Sequence, residues 1–216
     1  MLGKIFGTEG SFTAVMSKVA DIVLVSALWF ICSLPVVTFA TSTSALYYAV
    51  VKGIRKERGT PTKEFLYFFK TNWKQGVVIS LLYELMAALV VFNYIAVTKM
   101  EGASGLYSIY KVESLWVMVM FIFLTIYLFP VFSRFEYTGV ECIKASILMA
   151  IRHTLSSLVM LVVLVAAGLL VIRFPILIFC IPGVLVLLFS LRIEKIFRKY
   201  MKKPEEGEIV PWFWDE

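Results

Sequence analysis

The stretch that decides the fold is residues 22–51, IVLVSALWFICSLPVVTFATSTSALYYAVV. It is 30 residues long and carries no charged side chain, whereas one membrane-spanning helix needs roughly 20 residues. Pro35 lies near its middle, and a proline inside a helix removes a backbone hydrogen bond and bends or ends the helix. A single straight span is therefore a poor description, and Pro35 is predicted to mark a turn or a kink.

Two interpretations of this stretch remain open. In the first, a helix from about Phe12 to Cys32 turns at Pro35, and a second helix from about Val36 to Lys56 returns across the bilayer. In the second, only Ile22 to Ala40 crosses, and Leu46 to Arg58 lies on the membrane surface. The long polar lead before the apolar stretch argues against a cleaved signal peptide, so we expect this region to be retained.

The composition places the whole chain in the membrane class. Hydrophobic residues make up 60% of the 216 residues and charged residues 17%, against roughly 45–50% and 25% in soluble domains. Further apolar runs predict spans, the last two turning around Arg173-Phe174-Pro175: Val77 to Val97, Leu115 to Phe132, Leu155 to Ile172 and Phe174 to Leu191. The sequence thus predicts an all-α polytopic membrane bundle with six transmembrane helices, or five in the second interpretation.

The basic residues predict the orientation, because lysine and arginine accumulate in cytoplasmic loops. Of the 21 lysines and arginines, the six-span arrangement leaves three outside, namely Lys99, Lys111 and Arg173. The five-span alternative also places Lys4 and Lys18 outside. The six-span arrangement is therefore preferred, with both termini cytoplasmic. Residues 1–203 are expected to form one integral membrane domain, and residues 204–216 a short acidic and aromatic cytoplasmic tail.

Two cytoplasmic connectors have helical periodicity of their own. Thr60-Pro61 followed by Glu64 is typical of a helix start. After it, aromatic side chains recur at steps of three and four among lysines, and the candidate docking residues are Phe65, Phe68, Phe69 and Trp73. This pattern predicts an amphipathic helix that rests on the membrane interface, with docking of a partner protein as the alternative. Residues Arg134 to Thr154 form a second amphipathic stretch.

A candidate polar site lies within the predicted spans. Glu84 is an acid well inside an apolar run, and such residues pair with neighbouring helices or mark a transport path. Asn93, in the same span, is expected to hydrogen-bond between helices. A hydroxyl cluster follows Pro35 and consists of Thr38, Thr41, Ser42, Thr43 and Ser44. Small hydroxyl residues favour close helix packing, although they would also suit a polar cavity.

No pattern of catalytic residues accompanies these features. The three cysteines are scattered and His153 is the only histidine, so neither a disulfide framework nor a histidine-rich metal site is expected. Phosphate-binding loops, dinucleotide-binding glycines and nucleophile elbows are absent from the sequence. We therefore expect no enzyme activity, no cofactor and no nucleic-acid partner.

The sequence resembles one known family. The motif WFICSLPVVT at residues 29–38, continued by STSALYY at residues 42–48, strongly resembles the YesL family of bacterial multi-pass membrane proteins, catalogued as domain of unknown function 624. Residues 65–75, Arg134-Phe135 and Arg152-His153 also resemble that family. The resemblance implies a bacterial cell membrane and genes that often lie beside carbohydrate importers of the ATP-binding-cassette type. It carries over no catalytic residues.

Two functions are open at this point. The first is a non-enzymatic accessory membrane protein of bacterial carbohydrate uptake, whose partners are the lipid bilayer and subunits of an ATP-binding-cassette importer. The second is a small transporter or permease-like subunit, with a path lined by Glu84 and the hydroxyl cluster.

Overall fold

A computed structural model describes residues 7–99 and 105–201, with side chains from residue 13 and, in the second part, from residue 107. Within these residues every regular element is helical. The α-helices in chain order are α1 Gly7–Ser33, α2 Phe39–Ala49, α3 Pro61–Thr98, α4 Gly105–Arg134, α5 Gly139–Arg152, α6 Thr154–Arg173 and α7 Ile181–Phe197. Short 3-10 turns at Val36–Thr38 and Pro175–Phe179 precede α2 and α7, and a π-helical segment, Val50–Arg55, extends α2.

Four helices are long and apolar enough to cross a membrane. They contain the stretches Thr13–Ser33, Pro61–Thr98, Tyr107–Arg134 and Thr154–Arg173. The predicted all-helical architecture with several membrane-length helices is confirmed. The number of six spans stays a prediction, because α2 has 11 residues and α7 has 17.

Helices α1 and α2 form a hairpin around Pro35, whose backbone is extended (φ −73°, ψ 116°). The chain returns along α1, since Lys18 Nζ lies 2.5 Å from Glu57 Oε1. Whether the Leu46 to Arg58 stretch crosses the bilayer or lies at its surface stays a prediction, but it is not a helix lying apart from the rest of the protein. The apolar side chains in that range are buried, because they pack between α1, α3 and α7: Leu46, Tyr47, Val50, Val51 and Ile54.

Helix α2 and its π-helical extension run antiparallel to the first half of α3. At one end the Ala40 amide donates a hydrogen bond to Ser80 Oγ at 2.9 Å, and at the other Lys52 Nζ lies 2.7 Å from Glu64 Oε2. Between them the backbones approach closely, because a Cβ atom on Gly76 would overlap the Thr41 side chain. The second half of α3 continues beyond this contact with mostly exposed side chains.

The two predicted connectors form different kinds of helix in the structure. The connector at residues 62–75 is part of α3, which runs from Pro61 to Thr98 without a break. The second connector forms α5, which begins at a capping box between Thr138 and Glu141. One apolar side of α5 points outward, with Val140 and Ile151 more than half exposed, while Cys142, Met149 and Ala150 are buried on the other side. This arrangement suits a helix that rests on the membrane interface.

Candidate functional site

The most deeply buried charges belong to an ion pair between α4 and α7. Arg134 Nη2 and Nε lie 2.7 and 2.9 Å from Glu194 Oε1, and the Tyr47 hydroxyl donates to the same oxygen at 2.9 Å. The side chains of Arg134 and Glu194 are 2% and 7% exposed. Three helices, α2, α4 and α7, therefore meet at a single carboxylate oxygen.

Local sequence explains how Glu194 reaches the interior. The buried side chains of α7 near it include Ser190, Ile193 and Phe197 beside Ile196, and residues three and four apart share one face of a helix. Glu194 lies on this inward face, opposite the exposed Arg192 and Lys195. Arg134 is the last residue of α4, so its side chain can reach across to α7.

The surroundings make this pair sensitive to the loss of either charge. Removing two ions from water costs several kcal/mol each, and close charge-assisted hydrogen bonds offset that cost. A second cation lies close by, because Arg55 Nη1 donates to the Ser190 carbonyl at 2.8 Å. The arrangement favours a fixed junction between helices.

Two cavities adjoin this junction. A larger one, of about 740 Å³, is lined by residues of α2, α3, the end of α4 and the connection to α5: Tyr48, Tyr67, Phe68, Thr71, Asn72, Gln75, Val78, Phe132, Ser133, Arg134, Phe135, Glu136, Tyr137, Thr138 and Gly139. A smaller one, of about 420 Å³, is lined by Arg55, Lys56, Glu57, Glu194, Lys195 and Arg198. Arg134 belongs to the first wall and Glu194 to the second, so the ion pair joins the two walls.

Contacts at the edge of the larger cavity join α3 to the segment before α5. Gln75 Nε2 donates a hydrogen bond to the Tyr137 carbonyl, which ties α3 to the loop before α5. Phe135 and Tyr137 stack with their ring centroids 5.1 Å apart. Aromatic rings and amide groups thus share the lining, and such surfaces suit peptide segments or small polar molecules.

The structure corrects the predicted docking residues on α3. Phe65 and Phe68 are 0% and 6% exposed, and Phe68 packs against the rings of Tyr48 and Phe132. These two phenylalanines are therefore unavailable to a partner or to lipid, because α2 and α4 cover them. Phe69 is partly buried and stacks on Phe65, whereas Trp73 is half exposed.

A different face of α3 is open instead. Its exposed side chains, which we call the basic aromatic face, are Lys63, Leu66, Tyr67, Lys70, Trp73 and Lys74. Tyr67 lies 60% exposed at the rim of the larger cavity. The aromatic connector thus has two faces, one packed in the protein core and one that is basic and uncovered in the described structure.

The structure does not bring the predicted intramembrane polar residues together to line a single path. Glu84 is partly buried, and its Oε1 atom has no hydrogen-bond partner among the described residues. Its neighbour Tyr83 instead contacts Thr125 Oγ1 at 3.2 Å. Asn93 is exposed on the second half of α3, so the expectation that it bonds between helices is not met within the described residues.

Most of the hydroxyl cluster closes the α1–α2 hairpin. Thr38 and Ser42 donate hydrogen bonds to the Cys32 carbonyl at 2.6 and 2.8 Å, and Trp29 Nε1 donates to Thr43 Oγ1 at 3.1 Å. The first two bonds satisfy a backbone carbonyl at the end of α1, which would otherwise lack a helical partner, and the third ties the side chains of α1 and α2 together.

Two further members of the cluster behave differently. The hydroxyl oxygens of Thr41 and Ser44 are buried without a hydrogen-bond partner among the described residues. Thr41 is packed against Gly76 of α3. The cluster therefore serves helix packing in the main, as small hydroxyl residues commonly do.

Sequence reasoning missed Glu194 and treated Arg134 only as a topology signal. Glu194 lies among basic residues at the end of an apolar run, which is the usual setting of an exposed acid. The available signal was its spacing of four from Ser190 and three from Phe197, which places it on the apolar side of the helix. Arg134-Phe135 was, in addition, one of the motifs on which the family resemblance rested.

Two titratable groups in or next to α5 have shifted pKa values. Burial raises the pKa of the Cys142 thiol to about 11, with a smaller contribution from Glu141. Partial desolvation, together with Lys199 and Arg152, lowers the pKa of His153. Neither group has the lowered thiol pKa or the carboxylate partner of a catalytic pair. Over the described ranges no three metal-ligating side chains cluster.

Comparison with known proteins identifies the region around the hairpin. Residues 22–94 match the family described as Protein of unknown function, DUF624. The resemblance noted in the sequence is confirmed over these residues. The match begins in α1 and extends through α2 into the second half of α3, which includes the α2–α3 contact and the basic aromatic face. Among curated proteins and solved structures, nothing matches the chain.

Proposed function

We propose that this DUF624 protein is a non-enzymatic accessory protein of the bacterial cell membrane. It acts by holding a cytoplasmic partner against the basic aromatic face of α3. The partner we propose is a subunit of an ATP-binding-cassette carbohydrate importer. The function needs no cofactor and no reaction, only a rigid surface of defined charge.

The observation that carries this proposal is the division of α3 into two faces. Phe65 and Phe68 lock the first half of α3 onto α2, so the helix does not need lipid to fix its position. Tyr67 and Trp73 remain 60% and 50% exposed on the other side. Exposed aromatic side chains on a rigid helix are the residues that most often dominate protein interfaces.

Charge supports a partner with an acidic contact surface. Lys63, Lys70 and Lys74 are all exposed on the same half of α3. Such a row steers an acidic protein surface toward the face and accelerates association at low ionic strength. Anionic lipid is attracted by the same charges, so the experiment must distinguish binding of an acidic protein from binding of anionic lipid.

The importer as partner rests on the family resemblance, whose members are often encoded beside such transporters. It is tested by affinity purification from the native membrane with a Tyr67→Ala and Trp73→Ala double variant. We expect importer subunits to co-purify with the unchanged protein and to be lost from the variant, while its expression and detergent stability stay the same.

A matched control uses another exposed tryptophan. Trp116 on α4 is 60% exposed but lies outside the basic aromatic face, so Trp116→Ala should retain the partner. Equal recovery from the double variant and the unchanged protein would contradict the proposal. Loss of recovery only after Lys70→Glu with Lys74→Glu, accompanied by altered membrane orientation, would assign the face to lipid.

A small transporter is the second candidate, favoured by the unpartnered Glu84 Oε1 among the described residues. On this proposal Glu84→Gln abolishes flux in reconstituted vesicles at normal expression. On the accessory proposal the same change is tolerated, because an amide can form bonds similar to those of a protonated acid. Most of the hydroxyl cluster is occupied in hairpin contacts, which leaves fewer groups for a path.

A further inference from the structure

The tip of the α1–α2 hairpin, residues 31–38, has an apolar outer surface. Its most exposed side chains are Ile31, Leu34 and Val36, which are 59%, 66% and 63% exposed. The stretch around the tip carries no charged residue from position 22 to position 51. Turns that reach water are commonly built from glycine, asparagine, aspartate and serine. This turn instead presents branched aliphatic side chains, which are unfavourable in water.

The polar groups of the tip point inward. Thr38 and Ser42 donate hydrogen bonds to the Cys32 carbonyl at 2.6 and 2.8 Å, and the Thr38 amide donates to the Pro35 carbonyl at 3.0 Å. The Ser33 hydroxyl oxygen is buried, without a hydrogen-bond partner among the described residues. Hydrocarbon offers no hydrogen-bond partner, so a turn inside a membrane needs internal bonds of this kind.

Both arms of the hairpin are shorter than the hydrocarbon layer of a bilayer, which is roughly 30 Å thick. The charge-free part of α1, residues 22–33, is about 18 Å long, and that of α2 with its extension, residues 39–51, is about 20 Å long. The 3-10 turn Val36–Thr38 adds about 6 Å at most. At the other end of the arms lies the pair of Lys18 and Glu57, which are both exposed.

Helix α3 gives an independent measure of how far the tip reaches. Phe39, the first residue of α2, stacks on Tyr83 of α3 with the ring centroids 5.9 Å apart. Helix α3 continues from there to Thr98, which is a further distance of about 22 Å. Its side chains in this part are mostly exposed, and Leu89 and Phe92 are among the exposed apolar ones. The tip therefore ends well short of the far end of an apolar helix.

We infer that the α1–α2 hairpin is re-entrant: it enters the bilayer from one side, turns within the hydrocarbon and leaves on the same side. The partner of the tip is lipid, whose acyl chains contact Leu34, Val36 and Val37. Non-helical backbone is tolerated at membrane depth where protein covers it, and the 3-10 turn packs against α3. A long charge-free stretch with a central proline fits one such hairpin as well as two complete spans.

The position of the tip is tested with single cysteines in the full-length protein, in phosphatidylcholine liposomes, after replacement of the native cysteines by alanine. Leu34→Cys and Val36→Cys place the thiol at exposed positions of the tip. Thr60→Cys and Thr98→Cys, also at exposed positions, serve as controls before and at the end of α3. A membrane-impermeant maleimide should label each control from one side only, the two from opposite sides, and should label neither tip position from either side.

Spin labels at the same cysteines distinguish contact with lipid from burial in protein. Molecular oxygen concentrates in hydrocarbon, whereas a water-soluble nickel chelate is excluded from it. The labels at positions 34 and 36 should collide often with oxygen and rarely with nickel, and the label at position 60 should show the reverse. The matched control is Val25→Cys on α1, whose side chain is fully buried, so its label should collide rarely with both.

Three results would overturn the inference. Maleimide labelling of the tip from the side opposite Thr60 would show that the hairpin crosses the bilayer. Labelling from the same side as Thr60 would place the tip at that surface. Rare collisions of the tip labels with both reagents, as at position 25, would show that protein and not lipid covers the tip. Thermal unfolding in detergent establishes that each variant folds, and the two tip positions are read independently.

Discussion

At the scale of single residues, Glu194 illustrates how environment changes the role of a charge. It has the same chemistry as the exposed Glu136, yet it accepts hydrogen bonds from Arg134 and Tyr47 inside the protein. A buried ion pair contributes little net stability, but the loss of one partner leaves the other charge unpaired in a poorly hydrated site. The junction therefore fixes which helices meet.

This difference predicts the effect of removing one charge. Glu194→Gln should destabilise the protein by about 3–5 kcal/mol, because the buried Arg134 loses the charge-assisted hydrogen bonds to the Glu194 carboxylate. Thermal unfolding in detergent measures the effect, and Glu136→Gln serves as the exposed control. Replacing both partners, Arg134→Met with Glu194→Leu, should be milder than either single change. Equal stability of the two glutamine variants would contradict a buried pair.

Phe65 and Tyr67 lie close together on α3, but substitutions of the two residues should affect stability very differently. Phe65→Ala should destabilise the protein by about 3–5 kcal/mol, because it leaves a cavity in the core. Tyr67→Ala, two residues away, should change stability by no more than about 0.5 kcal/mol, since its ring is 60% exposed. Unfolding measured side by side tests this contrast. Similar losses from both variants would mean that Tyr67 is also covered.

At the scale of elements, the α2–α3 contact organises one end of the molecule. Its small residues allow the two helices to approach, and Ser80 satisfies the Ala40 amide near the start of α2. A hydrogen bond from a neighbouring helix replaces the cap that α2 lacks, since the Thr38 side chain makes no cap bond there. The position of α2 therefore depends on α3 more than on its own sequence.

Close approach at this contact predicts a steric effect. Gly76→Ala should cost about 1–3 kcal/mol, because the added methyl group overlaps Thr41 in a packed interface. Thr41→Ala in the same chain should recover part of that loss. The control is Gly168→Ala in α6, where a Cβ meets no atom within 4 Å, so stability should be unchanged or slightly higher. Equal effects at the two glycines would argue against the contact.

At the scale of the whole molecule, the hairpin constrains the topology. The Lys18–Glu57 contact brings the beginning of α1 and the end of the α2 extension together, so both ends of the hairpin lie on one side. Helices α1, α3, α4 and α6 are long and apolar enough to cross a membrane, and each carries exposed apolar side chains. The charged junction and both cavities lie among the ends of α2, α4 and α7.

The orientation is tested by cysteine accessibility on a cysteine-free background. Cysteines at Thr8, Thr60 and Glu206 should react only from the cytoplasmic side, because the distribution of basic residues predicts that these segments lie there. A cysteine at position 104 should react only from outside. Labelling of Thr8 from outside would support the five-span arrangement and would place the first helix in the opposite direction.

Local sequence determined the class of protein and most helix locations. Long apolar runs specify membrane helices whatever surrounds them, since each backbone group must find its partner within its own helix. Pro35 marked the hairpin because its effect on a helix is covalent and local. Thr138 and Glu141 likewise define the start of α5 through bonds three residues apart. The family resemblance also rested on contiguous motifs.

Only the tertiary structure decided which side of each helix is covered. The lysines and phenylalanines of α3 indicated an amphipathic helix, but not that α2 would bury Phe65 and Phe68 and leave Tyr67 and Trp73 open. In the sequence, Glu194 stands beside charged residues that are exposed in the structure. Its partner Arg134 lies 60 residues away. Burial is a property of pairs of surfaces, so it emerges only when α2, α4 and α7 are brought together.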